Sequence, residues 1–159
     1  MDYNQLLQEA TRFRAAIEEA RDVGEFKQPK PYQQEPMANF PFDCCDDTTD
    51  LFIHYLYHMF GIDSLKITGR YYSNKLKCTC FHTWQETEGV LIDLTGDQFD
   101  RDDDIQIKAV PVYVARKGEF HEQFDCPQAE SSCGIECLGI GSHDRMYGLY
   151  DKIMKHMKQ

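Results

Sequence analysis

Long apolar runs are missing from this sequence. No stretch approaches the roughly 18 or more apolar residues that span a membrane. The amino terminus, which begins Met1-Asp2-Tyr3, also lacks the basic segment followed by an apolar one that marks a secretory signal. We therefore expect a cytoplasmic protein that does not insert into a membrane.

Positive charge is also scarce. The chain has 17 Lys and Arg residues against 27 Asp and Glu residues, a formal net charge of -10. Proteins that bind nucleic acid gain most of their affinity from basic side chains that neutralise phosphates. Nucleic acid and anionic membrane surfaces are therefore excluded as expected partners, and a neutral or basic protein or peptide is favoured as a substrate.

Regular metal-binding patterns are absent as well. The seven cysteines include a C-x-C pair, Cys78 and Cys80, and a C-x3-C pair, Cys133 and Cys137, but no paired C-x2-C knuckles. A zinc site that combines these pairs with Cys126 and a histidine is a weak alternative to small buried thiols. Without a secretory signal, we interpret most of the seven as reduced thiols in a reducing compartment.

Two other groups of possible ligands have the same weakness. His54 and His58 have the four-residue spacing of metal ligands on a helix, but no third ligand is near them in the sequence, so we interpret them as helix-surface or core residues. The acidic run at residues 100–104 lacks the spacing of a calcium loop and is typical of a solvated turn. The sequence thus predicts no metal and no cofactor.

What the sequence does contain indicates one domain over residues 1–159. Of these residues, 42% are hydrophobic and 13% aromatic, enough for a single core. In residues 4–24, apolar side chains recur at three- and four-residue steps, which predicts an amphipathic leading helix with Gly24 as its C-cap. Residues 26–41 contain four of the six prolines and are predicted to form an extended linker.

The remainder of the chain predicts an α+β fold. A central helix is expected from Cys45 to Phe60, ended by Gly61, and its wide apolar face indicates burial. Four segments have strand-like patterns, at residues 65–72, 78–84, 90–94 and 105–114. Successive strands joined by short turns form an antiparallel sheet, so we expect the central helix to pack on one that completes a core at residues 25–124. Residues 125–159 are predicted to form an irregular Cys-rich loop at 125–142 and a C-terminal helix at 144–157.

Three residue types in this order suggest nucleophilic catalysis. A cysteine pair, Cys44 and Cys45, stands where the central helix begins, and the N-terminus of a helix favours a thiolate. His82 and Asp93 lie on strand-like segments joined by a short turn, so they can be neighbours. A cysteine, a histidine that takes its proton and an acid that orients the histidine form a catalytic triad. The alternative is a buried cysteine, a hydrogen-bonded core histidine and a turn aspartate.

Three motifs in the chain resemble those of the transglutaminase-like branch of the papain-like cysteine enzymes, and within it a bacterial family of small domains. Members of that family show Phe-Pro-x-Gly-x-Cys-Gly-Asp-x-Ser before a helix, then His-Ala-Trp-Leu-Glu, then Ile-Asp-Ile-Thr-x-Asp-Gln-Phe. The corresponding segments here are Phe40-Pro41-Phe42-Asp43-Cys44-Cys45-Asp46-Asp47-Thr48-Thr49, His82-Thr83-Trp84-Gln85-Glu86 and Ile92-Asp93-Leu94-Thr95-Gly96-Asp97-Gln98-Phe99. The resemblance spans about residues 6–124.

This resemblance implies a papain-like, transglutaminase-like core. It also distinguishes the adjacent thiols, because Cys45 and not Cys44 falls at the position of the family's nucleophile, and Asp47 falls on the family's aspartate. Asp43 and Asp46 replace family glycines. Acidic side chains next to a cysteine disfavour a thiolate, so these two departures count against catalysis.

Further site candidates each have a structural alternative. Asn39 lies six residues before Cys45, the step at which papain-like enzymes place an oxyanion-hole glutamine, but it is equally typical of a loop residue. Trp84 is expected to pack beside His82 or line the cleft, or to be a plain core aromatic. Gln98 is expected to fix the strand that carries Asp93 or to line the substrate groove. His121 is interpreted as structural.

The sequence thus predicts a cysteine-dependent acyl-transfer enzyme that attacks an amide in a protein or peptide through Cys45, His82 and Asp93. Peptide hydrolysis, glutamine deamidation and acyl transfer to an amine share the first half-reaction, and the sequence does not separate them. The alternative is a catalytically inactive module that uses the same groove to bind a protein segment.

Overall fold

The computed structural model describes residues 1–27 and 34–157, and it is an α+β structure with a five-stranded antiparallel sheet. Its helices are α1 (Tyr3–Asp22), α2 (Cys45–Phe60) and α3 (Ile140–Met154), and its strands are β1 (Ser64–Ser73), β2 (Cys78–Thr87), β3 (Val90–Asp93), β4 (Tyr113–Ala115) and β5 (Asp125–Ser132). Short 3-10 helices lie at Pro36–Asn39, Gly96–Phe99, His121–Gln123 and Ile135–Cys137. No helix in this described part is long and apolar enough to cross a membrane.

The predicted leading helix is confirmed as α1. A capping box begins α1, since the Asp2 side chain accepts from Gln5 N–H and the Gln5 side chain accepts from Asp2 N–H. Its predicted end was slightly wrong, because Val23 is the C-cap and Gly24 follows it with a φ of 78°. Within the predicted linker, the short helix at Pro36–Asn39 interrupts the extended chain, and residues 28–33 lie outside the described residues.

Helix α2 has the predicted bounds, and Gly61 ends it in the left-handed conformation with a φ of 67°. Every residue from 48 to 56 is buried, because α2 packs on β1 and β2 while α3 covers another side. The central helix packed on an antiparallel sheet is therefore confirmed.

The strands follow one another in the sheet order β4-β3-β2-β1-β5. The predicted strands at 65–72, 78–84 and 90–94 correspond to β1, β2 and β3. The predicted strand at 105–114 was wrong over most of its length, because only β4 forms there. Ile105 and Ala109 are buried without strand pairing, and Pro111 has no N–H with which to join a ladder.

The predicted irregular loop at 125–142 was also wrong over its first half. Residues 125–132 form the edge strand β5, which pairs antiparallel with β1. All but the last of its side chains are exposed, so no alternation of apolar residues announces this strand in the sequence. Helix α3 begins at Ile140, four residues before the predicted start, and ends at Met154.

Apolar side chains form a cluster on each face of the sheet. Side chains of the helices form one cluster, together with Val90 and Ile92 of β3 and with Leu94, the residue that follows this strand. The other cluster is mainly aromatic. Its strand residues point to the opposite face of the sheet, because successive side chains of a strand alternate between the two faces. Its buried members are Ile67, Tyr71, Trp84, Phe99, Ile105, Ala109, Phe120 and Phe124. His82 has the parity of Trp84 and packs among these rings.

Candidate active site

Cys45 is the first residue of α2, and no side chain caps this end of the helix. This differs from α1, where Asp2 and Gln5 satisfy the terminal N–H groups. The first N–H groups of α2 have no acceptor within the helix, so they remain available as hydrogen-bond donors near Cys45. The positive end of the helix dipole also lies at this residue. Such an end can stabilise negative charge on sulfur or on a nearby oxygen.

The two adjacent thiols differ in burial and in their neighbours. Cys44 is buried in the helical core cluster, and burial raises the pKa of its thiol to about 12 although the Thr48 hydroxyl lies 3.7 Å from its sulfur. Cys45 is only half-buried, and its thiol interacts with the ring of His82. Cys45 is thus the thiol within reach of both a base and solvent.

His82 and Asp93 lie side by side, as predicted. The β2–β3 hairpin pairs Gln85 with Ile92, and this register brings the two side chains to one face of the sheet. His82 Nε2 lies 2.6 Å from Asp93 Oδ2, and both side chains are buried. The Nδ1 atom of His82 makes no hydrogen bond within residues 1–27 and 34–157, so it is the nitrogen left for the Cys45 thiol.

His82 and Asp93 each favour the charged form of the other. Burial alone lowers the pKa of His82, but the charge and hydrogen bond of Asp93, together with the Cys45 thiol, outweigh it and raise that pKa to about 9. Burial likewise raises the pKa of Asp93, but His82 and His121 hold it well below its usual range. At neutral pH the pair is therefore an imidazolium next to a carboxylate.

A second histidine, His121, holds the same carboxylate. Its Nε2 lies 2.8 Å from Asp93 Oδ2, while Asp93 Oδ1 accepts the Thr95 N–H at 2.9 Å. The sequence predicts a structural role for His121 and does not reveal this contact with Asp93. The only signal for it was a histidine between aromatic residues shortly after β4, the strand that pairs with β3.

His82, Asp93 and His121 also have the composition of a metal site. One ligand atom from each lies within 4.8 Å of the other two. Two ligand atoms around a tetrahedral zinc are about 3.4 Å apart, since each bond is about 2.0–2.2 Å long. The N···O distances of 2.6 and 2.8 Å are shorter than that and fit hydrogen bonds.

The two acidic residues that replace family glycines differ in their surroundings, and Asp46 has a defined partner. Asp43 has a φ of 55°, the left-handed region that glycine occupies most easily and aspartate tolerates. Asp46 lies 2.8 Å from Lys66 Nζ, which also pairs at 2.7 Å with the buried Asp50. The Asp46 charge next to Cys45 is therefore opposed by a cation from β1.

Asp47 is neutralised from the other end of the chain. Arg145 on α3 donates to both Asp47 carboxylate oxygens, at 3.3 and 2.6 Å, and also to Glu35. Neither Lys66 nor Arg145 was a sequence candidate, because nothing in a single sequence links residues so far apart. Together they reduce the negative field at the start of α2.

Of the remaining predicted residues, Trp84 and Gln98 lie next to the site, whereas Asn39 does not contact it. Asn39 is exposed at the end of a short helix, and its side chain makes no hydrogen bond to the triad among the residues described. Trp84 is buried with its ring centroid 5.7 Å from that of His82 and 4.7 Å from that of His121. Gln98 donates to the Thr95 carbonyl, within the turn that follows Asp93.

Arg14 secures the same turn from α1. Its buried guanidinium donates to the carbonyls of Leu94 and Pro111 and to both carboxylate oxygens of Asp97. The sequence analysis missed Arg14, because a charged residue in an amphipathic helix is usually solvated. The backbone that presents Asp93 is thus fastened to the first helix.

A groove of about 640 Å³ opens beside the triad, lined by Trp84, His121, Phe124 and residues of the neighbouring strands. Trp84 therefore both packs beside His82 and lines a groove, but Cys45 is not among the residues that line it.

Comparison of the chain with protein-family models, with curated proteins and with solved structures finds no match in any of the three.

Proposed function

We propose that this protein is a cysteine-dependent acyl-transfer enzyme with a transglutaminase-like, papain-like core, in which Cys45 is the nucleophile, His82 the proton carrier and Asp93 its orienting acid. One observation carries the proposal: His82 is held by Asp93 at 2.6 Å, and its ring also interacts with a half-buried thiol at an uncapped helix end. Nucleophile, base and orienter are the parts that acyl transfer through a thioester requires.

The chemistry follows from these charges. The imidazolium of His82 favours a thiolate on Cys45. The sulfur attacks the carbonyl carbon of an amide, and the resulting oxyanion is stabilised by the free N–H groups at the start of α2. The C–N bond then breaks, the leaving amine takes the proton of His82, and a thioester remains.

The second half-reaction restores the resting state. Neutral His82 takes a proton from water or from an incoming amine, which attacks the thioester carbon. The C–S bond breaks, the acyl product leaves, and the thiolate and imidazolium form again. Asp93 keeps its charge throughout and fixes the ring orientation, with His121 and Thr95 N–H holding its two oxygens.

A protein or peptide is the proposed substrate, since Cys45 is half-buried and its neighbours Phe42, Asp43 and Asp46 are exposed, so that an extended chain can reach the thiol. The alternative is a module that binds a protein segment without catalysis. It is favoured by the complete burial of His82, because a leaving group gains its proton only where the ring can be reached.

The test is capture of an acyl-enzyme. Incubation with p-nitrophenyl acetate reports acylation without knowledge of the natural substrate, and mass spectrometry of peptides locates the acetyl group. We expect one acetyl group on Cys45, lost in Cys45→Ala and retained in Cys44→Ala, the matched control. Acetylation spread over the exposed cysteines, or unchanged in Cys45→Ala, would reject the enzyme and favour the binding module.

A further inference from the structure

The C-terminal half of α2 presents two histidines that the proposed reaction does not use. His54 and His58 are one helical turn apart, and their ring centroids are separated by 4.2 Å. His54 is buried beneath the rings of Tyr147 and Tyr150, and its Nδ1 makes no hydrogen bond in the part of the chain that is described. A buried imidazole nitrogen without a partner calls for an explanation.

A close contact with the loop after β5 supplies the third ligand that the sequence did not reveal. Gly134 has a φ of 86°, and a Cβ atom there would lie 2.4 Å from His54 Cβ, so only glycine lets this loop approach α2 so closely. The approach places Glu136 over the helix, with its Oε1 3.2 Å from His58 Nε2.

We propose that His54, His58 and Glu136 form a binding site for a divalent metal ion of the Zn²⁺ type. One ligand atom from each of the three lies within 4.8 Å of the other two. The 3.2 Å between the His58 nitrogen and the Glu136 oxygen is close to the roughly 3.4 Å between ligand atoms on a tetrahedral zinc. Two imidazoles and a carboxylate are a ligand set that zinc prefers over magnesium or calcium.

Access and surroundings suit such an ion. His58 and Glu136 are exposed, so an ion can enter from solvent, while His54 supplies a nitrogen from the buried side. The three protein ligands leave a fourth position for water. The thiols of Cys133 and Cys137 lie at the two ends of the same loop but belong to a separate contact, in which Cys137 Sγ accepts the Cys133 N–H at 3.1 Å.

This metal site is independent of the proposed acyl transfer. It shares no residue with Cys45, His82 and Asp93, and it joins the loop that follows β5 to the far end of α2. Metal binding here would cross-link the segment that follows β5 to the central helix α2 and stabilise their contact. The competing explanation is a bare ion pair between His58 and Glu136, with the buried His54 ring held only by a hydrogen bond to the backbone of Cys133.

The test is titration of the full chain with Zn²⁺, followed by calorimetry. Cys45→Ser serves as the background, because it removes the triad thiol as a competing ligand. We expect one equivalent of Zn²⁺ to bind, and His58→Ala and Glu136→Gln each to weaken the affinity by at least about tenfold, the size of effect found even for groups that only support metal ligands. His143→Ala is the matched control, since the Nε2 of His143 already contacts the Leu138 carbonyl, and we expect no change.

A second readout assigns the ligands. In NMR spectra of the imidazole nitrogens, the signals of His54 and His58 should shift on addition of one equivalent of Zn²⁺, while those of His143 stay in place. Absence of binding at one equivalent, or the same affinity in His58→Ala and Glu136→Gln as in the background, would overturn the proposed site. Shifts confined to other histidines would overturn it as well.

Discussion

At the scale of single residues, the distinction between Cys44 and Cys45 is the decisive feature. The two are adjacent, yet burial raises the pKa of the Cys44 thiol to about 12, while Cys45 stands half-exposed against His82. A rotation of about 100° around the start of a helix is enough to turn one side chain into the core and the next toward the sheet. Position on α2 therefore determines which of the two thiols is buried and which one is next to His82.

The pKa of His82 predicts how stability depends on pH. Its folded pKa, about 9, is above the ordinary value of 6.5, so its contribution is complete below pH 6.5 and is lost as pH rises through 9. We expect the free energy of unfolding to fall by about 3 kcal/mol over this range, as each unit of pKa shift corresponds to about 1.4 kcal/mol. Asp50, with a pKa of about 6, changes its contribution at lower pH.

Urea unfolding of the wild type and of His82→Gln at several pH values between 6.5 and 9.5 measures this effect. The wild type should lose stability with rising pH, whereas His82→Gln should be less stable at pH 6.5 and nearly independent of pH. His143→Ala is the control and should retain the wild-type slope. Equal slopes for the wild type and His82→Gln would show that the ring is not charged in the folded protein.

At the scale of elements, the sequence predicted α2 with its bounds and the β1, β2 and β3 segments, because apolar periodicity and the glycine after the helix are local signals. The pairing of His82 with Asp93 was also predictable from the short turn between two strands. The edge strand β5 was not predictable, since its residues are exposed and show no alternation of apolar and polar side chains. The contacts of Asp93 with His121 and of Asp46 with Lys66 depend on tertiary packing that no local pattern encodes.

The contact between the loop at Gly134 and α2 gives a prediction at this scale. Gly134→Ala requires a Cβ at a φ of 86° and only 2.4 Å from His54 Cβ, so we expect a loss of about 2–4 kcal/mol. Gly148→Ala is the matched control, because Gly148 lies inside α3 with nothing within 4 Å of the added Cβ. We expect that change to stabilise by up to about 1 kcal/mol. Urea midpoints measure both, and equal effects would contradict the close contact.

At the scale of the whole molecule, the proposed triad lies where the two apolar clusters meet. Cys45 begins the helix that fills one cluster, while His82 packs in the aromatic cluster on the opposite face. Arg14 joins these parts, because it extends from α1 to the turn that follows Asp93. The geometry of the site therefore depends on how the layers are held together.

Replacement of Arg14 tests this connection. In Arg14→Met, the Leu94 carbonyl and the Asp97 carboxylate lose their buried donor, and we expect a loss of about 3–5 kcal/mol in the free energy of unfolding. Arg12→Met is the control on the same helix, since the ion pair of Arg12 with Glu9 is partly exposed and should contribute about 1 kcal/mol or less. Chemical denaturation compares the two variants, and a similar small loss in both would contradict a structural role for Arg14.

The most direct measurement of the central claim is the rate at which iodoacetamide alkylates each of the seven cysteines at pH 7, read from peptide masses in the wild type and in His82→Ala. Cys126, whose sulfur lies 3.3 Å from the Arg70 guanidinium, is the internal control with a cation of its own. If His82 activates Cys45, Cys45 is alkylated fastest in the wild type and slows by at least about tenfold in His82→Ala, while Cys126 is unchanged and Cys44 stays unlabelled. An equal Cys45 rate in both proteins, with the fold of the variant verified by circular dichroism, would contradict the proposed triad.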